Sequence, residues 1–181
     1  MAFGFFKKKK ESDYDPLNIT VKDLRTGFIL EYDMGQWEVI GESTYDWGDN
    51  SYSKEYKITD GKDTFFMSVE EDDEIELVLY EKMKVGQLDG DIAGEIIKNQ
   101  LPPAEIRYKG MVFKRENESP GYYKDEDVGT DWIEFINWQY YDEDEKHVLS
   151  IEQWEEKEFE ASFGTIIQEY EITNILPGNK T

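Results

Sequence analysis

Cysteine is absent from this 181-residue chain and histidine occurs once. The first absence removes disulfides, thiolate metal sites and cysteine nucleophiles together. The second removes any multi-histidine zinc site and leaves a Ser-His-Asp triad without support. Basic residues are scarce beside acidic ones, 20 against 42, for a formal net charge of −22. Four of the 20 are Lys7, Lys8, Lys9 and Lys10, so the body from Glu11 onward sets sixteen basic residues against all 42 acids, a net −26. A field of that sign repels phosphate backbones, which argues against nucleic acid as a partner, and it favours cationic partners such as a basic protein surface, divalent metals or polyamines. No run approaches the roughly 20 apolar residues of a membrane helix. The apolar start over 1–6 is too short for a signal h-region, and the lysines follow it rather than precede it. The glycines stand singly at turn positions with no Lys-Ser/Thr after them, so no phosphate-cradling loop is present. These absences lead to an expectation of a cytoplasmic protein without a cofactor.

What the chain does have is aromatic mass: 12 Tyr, 10 Phe and 5 Trp. Large rings bury much area each, so a modest apolar fraction still builds cores and disorder is excluded for the body. The pattern is β over most of its length. Residues 27–32 form a strand ending at the turn Asp33-Met34-Gly35. Residues 36–45 alternate, with Trp37, Val39 and Tyr45 facing in and Gly41 marking a bulge. Asp60-Gly61 carries a hairpin signal between two further strands. Residues 74–82 place Ile75, Leu77 and Leu79 on one face. The spacing then predicts one helix over 88–100, capped by Asp89 or Asp91, striped by Leu88, Ile92, Ile96 and Ile97, and stopped by Pro102 and Pro103. A second β run follows over 105–176, in which 132–138 reads as buried on both faces and Pro120-Gly121 and 142–145 read as loops.

Landmarks recur in the same order in the two β runs. Met34-Gly35-Gln36-Trp37, Lys54-Glu55-Tyr56-Lys57-Ile58 and Phe66-Met67-Ser68-Val69-Glu70 are echoed by Lys109-Gly110-Met111-Val112, Ile133-Glu134-Phe135-Ile136-Asn137 and Val148-Leu149-Ser150-Ile151-Glu152. Self-similarity of this kind reports a unit that packs against its copy. The expected fold is therefore mainly β: two related small antiparallel units, barrel-like or strongly bent, joined by one short helix. The divisions are a basic and aromatic leader over 1–16, a first unit over 17–86, the connecting helix over 87–103, a second unit over 104–178 and a tail over 179–181. On Gly35, Val39, Gly41, Glu55, Tyr56, Ile58, Met67, Ser68, Val69 and Glu70, and on Gly110, Trp132, Glu134, Phe135, Leu149, Ser150, Ile151 and Glu152, the chain resembles the bacterial domain-of-unknown-function family numbered 4178, in two degenerate copies. The resemblance carries no activity and no site residue, and it implies a membrane-stress setting.

Among chemical candidates, Glu55 and Glu134 are the carboxylate pair at equivalent places in the two runs, the arrangement a glycan hydrolase would need. As simple sheet residues they hydrogen-bond across strands. Ser68 with Glu70 and Ser150 with Glu152 read as outward strand faces. Asp125, Asp127, Gly129 and Asp131 offer spaced oxygens that suit Ca²⁺, as do Asp46, Asp49 and Asn50, but neither run matches an EF-hand, and no metal site is assigned. His147 reads as a surface residue whose charged form is favoured by Glu143, Asp144 and Glu145. The function expected is non-enzymatic: an acidic module that binds a protein partner with a basic surface through Trp47, Tyr52, Tyr122, Tyr123, Tyr140 and Tyr141, read as lying in or near turns. An immunity-type polyanion mimic is the other alternative. Phe3, Phe5 and Phe6 beside the four lysines suggest weak contact with the inner face of an anionic membrane.

Overall fold

A computed structural model describes residues 14–178; the leader apart from its last three residues, and the tail over 179–181, lie outside the described residues, and the membrane contact expected of the leader lies there too. Among the described residues eleven strands form one antiparallel sheet. The first run contributes β1 (Ile29–Tyr32), β2 (Gly35–Gly48), β3 (Ser51–Thr59), β4 (Thr64–Glu71) and β5 (Ile75–Lys84). The second contributes β6 (Glu105–Tyr108), β7 (Met111–Asp125), β8 (Ile133–Tyr141), β9 (His147–Glu155) and β10 (Glu158–Ile167), and β11 (Thr173–Leu176) follows them. The runs match in order: a tight hairpin between a four-residue strand and a long bulged one, then three strands joined in turn. The mainly β architecture agrees with the alternation in the sequence. The two runs share one sheet, because β5 pairs with β10 over 77–84 and 160–167, and β2 pairs with β7 over 43–46 and 122–125. These two seams close an eight-stranded ring in the order β2-β3-β4-β5-β10-β9-β8-β7.

Two apolar clusters lie on the strand faces turned away from the ring's interior. In the first, Leu30, Trp37 and Val39 meet Tyr56, Ile58, Met67, Val69, Leu77 and Leu79, so β1 and β5, far apart in sheet order, converge and the first run curls about its own core. Val21, Leu24 and Ile172 cover that cluster from the flanking segments. In the second, Phe113, Trp138, Tyr140, Leu149 and Ile151 pack beneath the helix α1 (Ile92–Asn99) through Ile92 and Ile96. This helix is shorter than the expected 88–100: Asp91 caps it by accepting from the Gly94 N–H, 85–87 is a separate 3-10 turn, and Gln100 ends it in the left-handed region.

The bulge predicted at Gly41 is present, as a register shift between Val39 and Gly41, and its consequence is larger than a kink. An extra residue reverses the parity of a strand, so Trp37 and Val39 join the first apolar cluster whereas Tyr45, of the same parity, faces the ring interior. The shared inward direction read for these three residues is thereby corrected. Pro120-Gly121 is also not a loop. Both residues lie inside β7, paired with Ile136 and Phe135. Over 117–120 β7 pairs only with β8, so the missing proline N–H leaves no ladder bond unmade. Gly121 is required by close approach: a Cβ there would stand 3.0 Å from the Trp47 ring and 3.1 Å from Phe135. Of 132–138, only Phe135, Asn137 and Trp138 are fully buried; Trp132 and Ile133 are exposed.

Candidate functional site in the barrel interior

Strand alternation puts one side chain in two inside the ring. Here that inner set is polar. Ser53 and Glu55 from β3, Ser68 from β4, Tyr80 and Lys82 from β5, Asn137 and Gln139 from β8, Ser150 and Glu152 from β9 and Ser162 from β10 converge, with Tyr45 and Trp47 from β2, on an inner cavity of ≈40 Å³. At one end it gives on to a chamber of ≈320 Å³, whose wall includes Trp47, Ser68, Glu70, Glu76, Tyr80 and Tyr141. At the other end lies a wider mouth of ≈550 Å³, lined by Lys82, Tyr123, Ile133, Glu134, Trp154, Glu155, Glu158 and Glu160. Position along the strands orders the three: on β9, Val148 lines the first chamber, Ser150 and Glu152 the inner cavity, and Trp154 the mouth.

One side of this interior is an aromatic wall. Tyr45 stacks on Trp47 at 5.6 Å between centroids, Phe135 stacks on Trp154 at 4.8 Å, and Tyr123 meets both Tyr45 and Trp154 edge to face at 5.3 Å. Polar groups fix the rings: Trp47 Nε1 donates to Ser53 Oγ at 2.9 Å, and the hydroxyls of Ser43 and Tyr123 share a 3.0 Å hydrogen bond. Between the adjacent strands β9 and β8, Ser150 Oγ donates to Asn137 Oδ1 at 2.6 Å. Gly164 lets Tyr80 lie flat across its neighbour, since any Cβ would collide with that ring and with Val78.

The ionisable groups set the chemistry. Lys82 Nζ sits 3.5 Å from Glu55 Oε1 and 4.5 Å from the Phe66 ring centroid. Burial works against the charge on Lys82, but Glu55, Glu152 and Glu160 outweigh it and raise the ammonium pKa. Burial raises the Glu55 carboxyl, with Lys82 pulling it back. It pushes Glu152 up to about 7, with Lys82 lowering it and Glu55 and Glu160 adding to the rise. Glu152 is deep within the molecule yet keeps some surface, because that surface faces the cavity rather than bulk water. The Tyr45 hydroxyl lies close enough to Glu55 to help lower its pKa, but completes no hydrogen bond of normal geometry and is wholly buried. Perturbed titratable groups converging on a cavity mark a candidate site.

The residues singled out from the sequence are dispersed by this geometry. Glu55 and Glu134 do not share a cavity; Glu55 lines the inner one and Glu134 the mouth. The ladder explains why: Glu55 lies opposite Ser68, and Gln139 lies opposite Ser150, so the equivalent of Glu55 is Gln139. Ser68, Glu70, Ser150 and Glu152, read as outward faces, all point into the lumen, because ring closure turns that face inward. Among the six aromatic contact candidates, Trp47, Tyr123 and Tyr141 line the interior cavities and Tyr140 is fully buried, donating its hydroxyl to the Pro103 carbonyl at 2.8 Å. Tyr52 and Tyr122 are exposed, at 50% and 47%, on either side of Asp46. All six lie in strands rather than turns.

The acidic loop after β7 clamps the seam. Asp127 accepts from the Glu42 N–H at 2.6 Å and from Thr26 Oγ1 at 2.8 Å, Glu126 accepts from Thr44 Oγ1 at 2.7 Å, and Asp125 caps the turn through the N–H groups of Asp127 and Val128. Among the described residues no group of three or more His, Cys, Asp and Glu side chains is placed to hold a metal ion. His147 takes Asp142, at 2.7 Å, as its partner instead of 143–145, and its ring stacks on Phe163. Lys82 and Glu160 escaped sequence reading altogether. Their only signal was parity with Glu76, Val78 and Tyr80 on β5, and with Ser162 on β10.

An uncharacterized protein of Aquifex aeolicus (strain VF5) is 28% identical over 173 residues, covering 96% of this chain and 94% of its own length. No solved structure matches. The family described as a domain of unknown function (DUF4178) matches residues 25–169 as one span, taking in all eight ring strands, and this chain belongs to that family.

Proposed function

We propose that the barrel interior is a binding compartment for a small polar molecule, and that the two runs, products of one duplicated unit, have been joined to enclose it. One observation carries this reading: both apolar clusters lie outside the ring, while the inside sets hydroxyl, amide, carboxyl and ammonium groups beside its aromatic wall, around open space. An eight-stranded barrel has an interior just wide enough to be filled by side chains or to hold one small ligand. A ring whose role was only to support the fold would fill that space with apolar side chains, since buried polar groups cost free energy unless paired. The ≈320 Å³ chamber is at the lower end of ligand-pocket volumes. The test is a fragment screen by ligand-observed NMR on the wild-type chain and on Ser68→Phe, which places a ring where chamber and inner cavity meet. Hits that compete with one another and vanish in Ser68→Phe support the reading. No hits at millimolar concentration, or hits indifferent to Ser68→Phe, overturn it.

A second reading, contact with a basic protein partner on the outside, is favoured by Tyr52 and Tyr122, which flank Asp46 on the exposed face. It predicts that Tyr52→Ala with Tyr122→Ala weakens capture of that partner while leaving the lumen's ligands bound.

A further inference from the structure

We propose that the ligand of this compartment is a small organic amine, its ammonium head seated in the inner cavity against Glu152 and Glu55 and its body in the larger chamber. This assignment rests on the lumen being a binding compartment and adds the class of molecule it takes. Three independent features point to it.

The first is charge. The walls of the two chambers and the inner cavity carry eight carboxylates against one ammonium, Lys82. Glu70 and Glu76 stand on the ≈320 Å³ side with no basic residue among its lining groups. Both approaches therefore attract cations and repel anions. In the middle, Lys82 pairs with Glu55 and is shared electrostatically with Glu152, so two carboxylates divide one ammonium.

The second is an incompletely paired hydroxyl. The Tyr45 hydroxyl is buried beside Glu55, with the residue only 5% exposed, and its contact with that carboxyl falls short of normal hydrogen-bond geometry. A buried hydroxyl left short of a good partner is costly, so Tyr45, like the unpartnered Trp154 Nε1 at the mouth, leaves hydrogen-bonding capacity open to a guest. An ammonium N–H aimed at the phenol oxygen would use it.

The third is size. The ≈40 Å³ cavity has room for an ammonium head but not for a ring or a branched body, whereas the neighbouring chamber, walled by Trp47, Tyr80 and Tyr141, accommodates an alkyl or heteroatom chain against aromatic faces.

Proton linkage follows from the same geometry. The groups facing Glu152 are Glu55 from β3, Lys82 and Tyr80 from β5, Tyr45 from β2 and Glu160 from β10; in the same cavity β4 and β8 contribute only uncharged Ser68, Asn137 and Gln139. Seating a cation beside Glu152 requires the carboxylate, so binding releases a proton wherever Glu152 is protonated in the free protein. Affinity should fall about tenfold per pH unit below about 7 and level off above it.

The experiment is isothermal titration calorimetry of the full chain with n-butylammonium, n-butanol and butyrate at pH 6, 7 and 8, on wild type, Glu152→Gln, Tyr45→Phe and Ser68→Phe. The expected result is n-butylammonium binding at least tenfold tighter than n-butanol, no butyrate binding, and tightening from pH 6 to 8. Glu152→Gln should abolish that pH dependence and weaken binding at least tenfold at pH 8, Tyr45→Phe should weaken it severalfold, and Ser68→Phe should remove it. Thermal melts of each variant show that the fold is retained. Equal binding of n-butanol and n-butylammonium, both lost in Ser68→Phe, sinks the amine assignment and leaves the binding compartment standing. Absence of binding by all three probes overturns the amine assignment, while the fragment screen decides the compartment separately.

Discussion

The two faces of the ring strands are built on opposite rules. Facing outward, Trp138, Tyr140, Leu149 and Ile151 are fully buried and apolar, sealed by α1. Facing inward from the same strands, Asn137, Gln139, Ser150 and Glu152 surround space. Adjacent residues one position apart thus serve different ends: the outward set supplies the stability and the inward set is free to carry binding groups. In most small barrels the interior is the core; here most of the buried apolar residues lie in two clusters outside the ring, with Tyr45, Tyr80, Phe135 and Val148 inside it. Energetically this is feasible because the two outer clusters bury most of the apolar side chains of both runs.

That contrast can be broken by exchanging neighbours. Trp138→Ala, on the outer face, removes a ring with 1% exposure and its Nε1 hydrogen bond to Glu118, and should cost about 3–5 kcal/mol in denaturant unfolding. Ser68→Ala, on the inner face, should change stability by less than about 1 kcal/mol in the same assay, because it borders a cavity rather than packed side chains. Comparable losses for both would mean that the lumen is a structural core.

Glu152→Gln sharpens the comparison through pH. Glu152 has its folded-state pKa raised to about 7, above its unfolded value near 4.5, so the folded state holds the proton more tightly. Stability from this group is fully present below about pH 4.5 and is lost as pH rises through 7. Relative to wild type, Glu152→Gln should therefore gain stability between pH 5 and 8, on the order of 2 kcal/mol at the upper end, read from urea midpoints across that range. A flat difference would place Glu152 in ordinary solvent.

The smallest effect belongs to the seam. Asp127→Ala deletes two exposed hydrogen bonds that tie the β7 loop to Glu42 and Thr26, and should cost about 1 kcal/mol, with faster amide exchange at Ser43 and Tyr45 than at the β5–β10 seam. Uniform exchange across both seams would show that the four-residue β2–β7 contact needs no clamp.

Much of the fold was legible residue by residue. The Asp33-Met34 turn, with φ of 46° and 60°, the Gly41 bulge and the Asp91 cap all sit where local chemistry places them. The candidate site was less legible. Glu152 stood in a Ser-Ile-Glu strand that looks the same whether its polar face meets solvent or a cavity, and Glu55 was matched with Glu134 because neighbouring aromatics resembled each other, whereas strand pairing matches it with Gln139. Tyr140 and Tyr141 show the limit of reading by proximity: adjacent in sequence, one is locked in the second cluster and the other lines the chamber.

Alternation, glycine turns and a capped short helix were determined by the chain itself, since each depends on a few neighbouring residues and their local sterics. Which face became the inside was decided only in three dimensions. Period-two patterning distinguishes an apolar face from a polar one, but says nothing of what the polar face looks upon; that depended on β5 meeting β10 and β2 meeting β7, pairings between residues roughly 80 positions apart.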